Sequence, residues 1–145
     1  MTIFIGADHR GFELKNLILE YLHEKNIRIE DLGAYEQDPL DDAVDFGQKV
    51  AQAVLQNPDN HLGILICGSG CAVIIAANRL KGIRAGVALN ESQTSHIREN
   101  DHVNVLSLAS DYTDHETAKK IVDAFLAASP KMDEKYLRRI KKLDQ

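Results

Sequence analysis

Residues 63–67, Gly-Ile-Leu-Ile-Cys, form an uninterrupted apolar run closed by Gly-Ser-Gly at 68–70. A strand with one wet face alternates apolar with polar residues. A continuous run marks a strand covered on both faces, as in the middle of a parallel sheet. The rest of the chain supplies the cover. A short apolar strand at 3–5 ends at Gly6, and Phe12, Leu14, Leu17, Ile18, Tyr21 and Leu22 then recur at the helical period over 11–25. A second strand at 27–32 ends at Gly33, and a loop with Pro39, Asp38, Asp41, Asp42 and Asp45 leads to a helix through Val50, Ala53 and Val54. Beyond the central run come a helix at 69–79, a strand at 83–88, a helix at 91–99, a strand at 103–108 and a helix at 114–127. Five strand–helix units in succession predict an α/β fold. The expected form is a Rossmann-like doubly wound three-layer sandwich with a five-stranded parallel sheet, plus an extra C-terminal helix at about 131–143. No repeat or linker divides it, so residues 1–145 are read as one domain, a length able to bury about two thirds of its unfolded surface.

Composition narrows the partners. The net charge of −5 lacks the basic face that a phosphate backbone requires, which excludes nucleic acid as the main partner. No apolar run reaches the length of a membrane span, and charge arrives at Asp8 and Arg10, too early for a signal-peptide core. The expectation is a cytoplasmic chain. Cys67 and Cys71 then read as reduced thiols, and the six scattered histidines offer no second half for a zinc site, so no metal is expected. Against the acidic total, Lys131, Lys135, Arg138, Arg139, Lys141 and Lys142 gather on the C-terminal helix, with Leu137, Ile140 and Leu143 as its apolar stripe.

In doubly wound sheets, ligands bind at the carboxyl ends of the strands, where the strand order switches. That points to the loops at 8–11, 33–46, 67–72, 89–91 and 109–114. The loop at 67–72 is the most informative. Gly68 and Gly70 allow a tight turn whose N–H groups of Gly68, Ser69, Gly70, Cys71 and Ala72 face inward, and a following helix adds its positive end. It is neither a Walker loop nor a dinucleotide fingerprint. Ser69 and Phe12 stand where a lysine must follow the second glycine, and Val73 stands where the third fingerprint glycine belongs. What remains is a thiol, Cys67, beside an anion-stabilising loop, suited to act as base or nucleophile. Asp8 is suited either to a ligand contact or to capping the helix that begins near Gly11.

Gly-Ala-Asp-His-Arg-Gly-Phe-Glu-Leu-Lys at 6–15, Gly-Ile-Leu-Ile-Cys-Gly-Ser-Gly at 63–70, Ile-Ala-Ala-Asn-Arg at 75–79, Gly-Ile-Arg-Ala at 82–85 and Asn-Val-Leu at 104–106 resemble the B-type ribose 5-phosphate isomerases. That family includes the galactose 6-phosphate isomerase subunits, and the match runs in order along nearly the whole chain. The combination Asp-His-x-Gly-x-x-Leu-Lys, Cys-Gly-[Ser/Thr]-Gly and Ala-Ala-Asn-[Lys/Arg] is specific. The resemblance implies aldose–ketose isomerisation of a sugar phosphate without cofactor or metal. It also implies a homodimer with sites at the subunit interface, the pairing of dimers into tetramers being left open. Cys67 would move the proton between C1 and C2, with Ser69 polarising the thiol and the loop N–H groups holding the enediolate. Asp8 would meet the sugar, His9 the phosphate end, and Lys135 and Arg139 would reach the phosphate from the other subunit.

The chain also departs from the family pattern. Asn100 stands at the family's ring-opening histidine, with His102 two residues on. Ring opening then falls either to His102 by a local shift, or to Asp8, Asp101 or water. Asp111 replaces an arginine after the fifth strand, where an unopposed carboxylate would repel a phosphate by several kcal/mol if dry and by about 1 kcal/mol if well solvated. Ala43 replaces a tyrosine of the sugar pocket, and Lys135 and Tyr136 replace an arginine and a histidine. These changes fall on ring and phosphate recognition while the proton-transfer residues are kept. That pattern leaves open another aldose substrate, hexose or unphosphorylated, or a binding protein that retained the fold.

Overall fold

The computed structural model describes residues 1–145. Five strands alternate with helices: β1 Thr2–Ala7, α1 Phe12–Glu24, β2 Ile29–Asp31, α2 Ala43–Leu55, β3 His61–Cys67, α3 Cys71–Ala77, β4 Ala85–Val87, α4 Glu91–Asn100, β5 Val105–Ala109, α5 His115–Ala127, and a final α6 Glu134–Leu143. The strands form one parallel sheet in the order β2-β1-β3-β5-β4. The chain builds outward from β1 to β2, then crosses back to begin the other half at β3. The switch point therefore lies between β1 and β3, and the expected doubly wound sandwich is the fold observed.

Side-chain alternation along β3 explains the three layers. Ile64 and Ile66 join Ile3, Ile5, Leu14, Ile18, Leu106, Ile121 and Phe125 in the larger core, under α1 and α5. Leu65 and Cys67 point the other way, into a core with Phe4, Val50, Val54 and Val73 under α2 and α3. A strand with cores on both faces must be apolar at every position, which is the pattern of 63–67. The outer strands β2 and β4 are three residues each, shorter than the expected 27–32 and 83–88, since each pairs on one side only.

α6 stands apart. None of its residues is fully buried: Ile140 is half-buried, while Leu137 and Leu143 are 41% and 67% exposed, so most of the apolar stripe lacks cover within the chain. No helix is long and apolar enough to cross a membrane.

Candidate active site

The loops leaving β1 and β3 flank the switch point. After β1 the chain turns through Asp8-His9-Arg10-Gly11. Asp8, 6% exposed, accepts hydrogen bonds at Oδ1 from the N–H groups of Arg10 and Gly11, both at 3.0 Å. It therefore closes the turn that leads into α1, without capping the helix itself, and keeps Oδ2 without a partner in the chain. The turn lies directly on β3, because a Cβ at Gly11 would stand 2.5 Å from the carbonyl oxygen of Ile66. Only a glycine lets Asp8 come this close to the strand that carries Cys67.

Cys67 is 3% exposed at the last position of β3. Gly70 adopts φ +75, the left-handed conformation that turns the chain into α3. Around this turn the backbone N–H groups of Gly68, Ser69, Gly70 and Ala72 donate to no atom of the chain. The Cys71 N–H is engaged, donating to Ser69 Oγ at 3.3 Å. Ser69 thus stiffens the turn through its oxygen and keeps its hydroxyl hydrogen free to donate. The loop after β5 latches the same turn from its other side. Ser110 N–H donates to the Cys67 carbonyl and Asp111 N–H to the Gly68 carbonyl, both at 3.0 Å.

The structure answers the concern about Asp111. Its carboxylate pairs with the Arg10 guanidinium across the loop, and this bond holds the Arg10 pKa above its ordinary value. The pair rests against Gly68, where a Cβ would lie 2.5 Å from Arg10 Nε and 2.8 Å from Asp111 Oδ2. Sequence reading missed Arg10, and also Asp41, whose Oδ1 lies 2.7 Å from His9 Nδ1 and accepts the His9 N–H at 3.1 Å. That contact occupies Nδ1 and leaves Nε2 without a partner in the chain. Ala34, Tyr35, Asp41 and Phe46 line a neighbouring hollow of about 330 Å³, so aromatic rings remain near the site although Ala43 is small.

The other candidates lie at the opposite end of the sheet. Val105 pairs with Gly63, and Ala109 with Cys67, so the four-residue step from the level of Val105 to that of Cys67 spans about 13 Å. Asn100, Asp101 and His102 precede Val105 and are further away still. His102 is 7% exposed, with φ +52 and Nε2 2.8 Å from the Lys131 carbonyl oxygen, a position that ties the turn before β5 to the segment before α6. Asp101 is exposed, and Asn100 Oδ1 accepts from Lys131 Nζ at 2.9 Å. A hydrogen bond and charge attraction from Glu99, 3.0 Å away, raise the Lys131 pKa. On α6, Lys135 and Arg139 flank the Tyr136 ring at 4.8 and 5.8 Å from its centre. Asp8, His9 and the Cys67 loop are thus brought together in one chain, while Asn100, Asp101, His102, Lys135 and Arg139 form a second group beyond its reach. Parallel strand direction was the signal that separates them, since loops before and after a strand must lie at opposite ends.

Comparison with known proteins identifies the family. A family model described as Ribose/Galactose Isomerase matches residues 3–143. The chain is 38% identical over 126 residues to the ribose-5-phosphate isomerase B of Escherichia coli, covering 87% of this chain and 83% of that one. The crystal structure of a ribose 5-phosphate isomerase from Thermotoga maritima superposes with a TM-score of 0.93 at 38% identity, over 99% of this chain and 97% of the other. That of the Mycoplasma genitalium ribose-5-phosphate isomerase B, with bound ribulose-5-phosphate, gives 0.93 at 42% identity over 98% and 93%. With Cys67, its glycine turn and Asp8 gathered at the switch point, and with matches of this length and depth, the chain belongs to the ribose/galactose isomerase family.

Proposed function

We propose that this isomerase interconverts ribose 5-phosphate and ribulose 5-phosphate, with Cys67 carrying the proton between C2 and C1. The observation that carries the reading is the group of four unpaired N–H donors, at Gly68, Ser69, Gly70 and Ala72, on the turn that directly follows Cys67. In the aldose-to-ketose direction, the Cys67 thiolate takes the proton from C2 of the open-chain sugar. The C–H electron pair becomes the C1=C2 double bond, and the carbonyl oxygen on C1 gains negative charge. Charge that develops there meets donors already in place, which lowers the barrier without reorganisation. Cys67 then returns the proton to C1 while the hydroxyl proton on O2 passes to O1, giving the ketose. Asp8 Oδ2 takes the sugar hydroxyls, and Ser69 donates its one hydroxyl hydrogen to the Cys67 sulfur.

Two copies complete the site. The second group at the amino ends of the strands has no route to Cys67 of its own chain, and the largely uncovered stripe of α6 supplies a surface for a second copy. In this homodimer the α6 of one copy packs on the other and brings Lys135 and Arg139 to the phosphate, with His9 of the first copy nearby. Asn100 and Asp101 of the second copy face the sugar ring, and Asp101 assists its opening. Burial of His102 makes it the group that fixes their turn. Free Cys67 and Cys71 suit a cytoplasmic setting.

The test is conversion of ribose 5-phosphate, followed as ketose, by the purified chain and by Cys67→Ser. Loss of at least about 10²-fold in kcat is expected for the variant. Full activity in Cys67→Ser would refute the assignment. Arg139→Ala should raise KM far more than it lowers kcat, and mixing it with inactive Cys67→Ser should return heterodimer sites to the wild-type KM; failure to do so would refute the shared site.

A further inference from the structure

We propose that Arg10 receives the phosphate of the substrate from within the same subunit as Cys67, and that Asp111 positions it there. The inference rests on the reading of the chain as a sugar-phosphate isomerase and assigns a group which that reading lacks. The position after Asp-His is left open in the motif, and here it is arginine; the position two residues past β5 is arginine in the pattern, and here it is Asp111. The structure joins these two departures. Arg10 Nη2 pairs with Asp111 Oδ2 directly over Gly68, the first residue of the anion-stabilising turn. A guanidinium is therefore still present on that side of the turn, held by a carboxylate at the place from which the pattern would send an arginine.

Its attachments argue for placement rather than a casual surface pair. Ser110 Oγ donates to the Arg10 carbonyl at 3.0 Å, and Asp111 N–H is itself bonded to Gly68, so both partners are fixed to the loop they cover. Asp111 accepts a single bond from a group with five N–H donors, and the Arg10 side chain is 56% exposed over the turn at Gly68. The remaining donors are available to a bidentate contact with a phosphate, which a planar guanidinium makes well. Arg10 also adjoins His9, the residue assigned to the phosphate end. One negative charge on Asp111 is cancelled by Arg10, so the pair presents oriented donors with no net charge. Affinity then comes from geometry and from the cations of α6 in the second copy.

The experiment titrates inorganic phosphate, and separately ribose 5-phosphate, into wild-type protein and into Arg10→Gln, Arg10→Lys and Arg10→Ala/Asp111→Arg, with steady-state kinetics alongside. Arg10→Gln should weaken phosphate binding and raise KM about tenfold, with kcat falling far less. Arg10→Lys should recover only part of this, because a point charge replaces the fork. The double variant, which returns the guanidinium from the opposite partner, should recover most of it. Phosphate affinity in Arg10→Gln within twofold of wild type, or no phosphate binding by wild type at all, would overturn the proposal. Weakened phosphate binding in a protein that fails to isomerise ribose 5-phosphate would instead refute the functional reading and leave Arg10 as the anion contact.

Discussion

Replacing Gly11 by alanine tests the packing that sets Asp8 against Cys67. The Gly11 backbone has φ −88 and ψ −5, a conformation alanine adopts freely. Judged on backbone freedom alone, Gly11→Ala should therefore stabilise the fold by about 0.4–1 kcal/mol. The structure predicts the opposite sign. The new Cβ would lie 2.5 Å from the Ile66 carbonyl oxygen, 2.7 Å from its carbon and 2.8 Å from Ile66 Cγ2, where ordinary contact begins at 3.4 Å. None of these atoms is the tip of a flexible side chain, so the turn at 8–11 must retreat by about 0.9 Å. The bond from Asp8 N–H to the Ile66 carbonyl, already 3.3 Å long, would be lost. Overpacking of this kind costs about 1–3 kcal/mol, or about 3–9 °C in Tm for a chain of this size. Because Asp8 moves with the turn, a displacement near 1 Å should also lower kcat/KM by about 10²-fold. Thermal unfolding and steady-state kinetics on the same preparation decide the matter. A Tm equal to or above wild type, with kcat/KM within twofold, would show that the close approach at Gly11 does not position the site.

Two further perturbations probe the fold around it. Lys15 is fully buried, with Nζ 2.5 Å from Asp31 Oδ2, so Asp31→Ala should destabilise by about 3–5 kcal/mol by stranding the ammonium. Lys15→Met, of similar volume, should cost much less in denaturant unfolding, and equal losses would refute the ion-pair account. At α5, Asp114 accepts bonds from the Thr117 N–H at 2.9 Å and its hydroxyl at 2.7 Å, and these hold its pKa below the ordinary value. A depressed folded pKa contributes stability above the unfolded pKa and loses it as pH falls through the folded one. The Tm gap between wild type and Asp114→Ala should therefore be constant near neutrality and close below about pH 4. A gap unchanged in acid would show that the cap acts without its charge.

Local pattern determined a great deal about this protein. Periodicity alone placed the five strand–helix units, because burial on one face of a helix or both faces of a central strand constrains consecutive residues. The same logic set Cys67 at the end of β3 and put the glycine turn after it, and the motifs in those places carried the family. Element ends were less legible. β2 and β4 fall short of the expected spans because pairing on one side only is a property of the sheet, not of the segment.

What only the tertiary structure decided is how distant loops meet. Asp41 against His9, and Asp111 against Arg10, bring together residues 32 and 101 positions apart. No local pattern encodes such pairs, since they depend on which strands are neighbours at the switch point. In the sequence Asp111 reads as a charge opposed to a phosphate; in the fold it is the anchor of an arginine. Likewise His102 reads as a titratable group near a catalytic position, while the fold buries its ring against the Lys131 carbonyl at the far end of the sheet. The chemistry of a side chain is written in its residue type, but its neighbours are fixed by register and strand order, and these exist only once the sheet has formed.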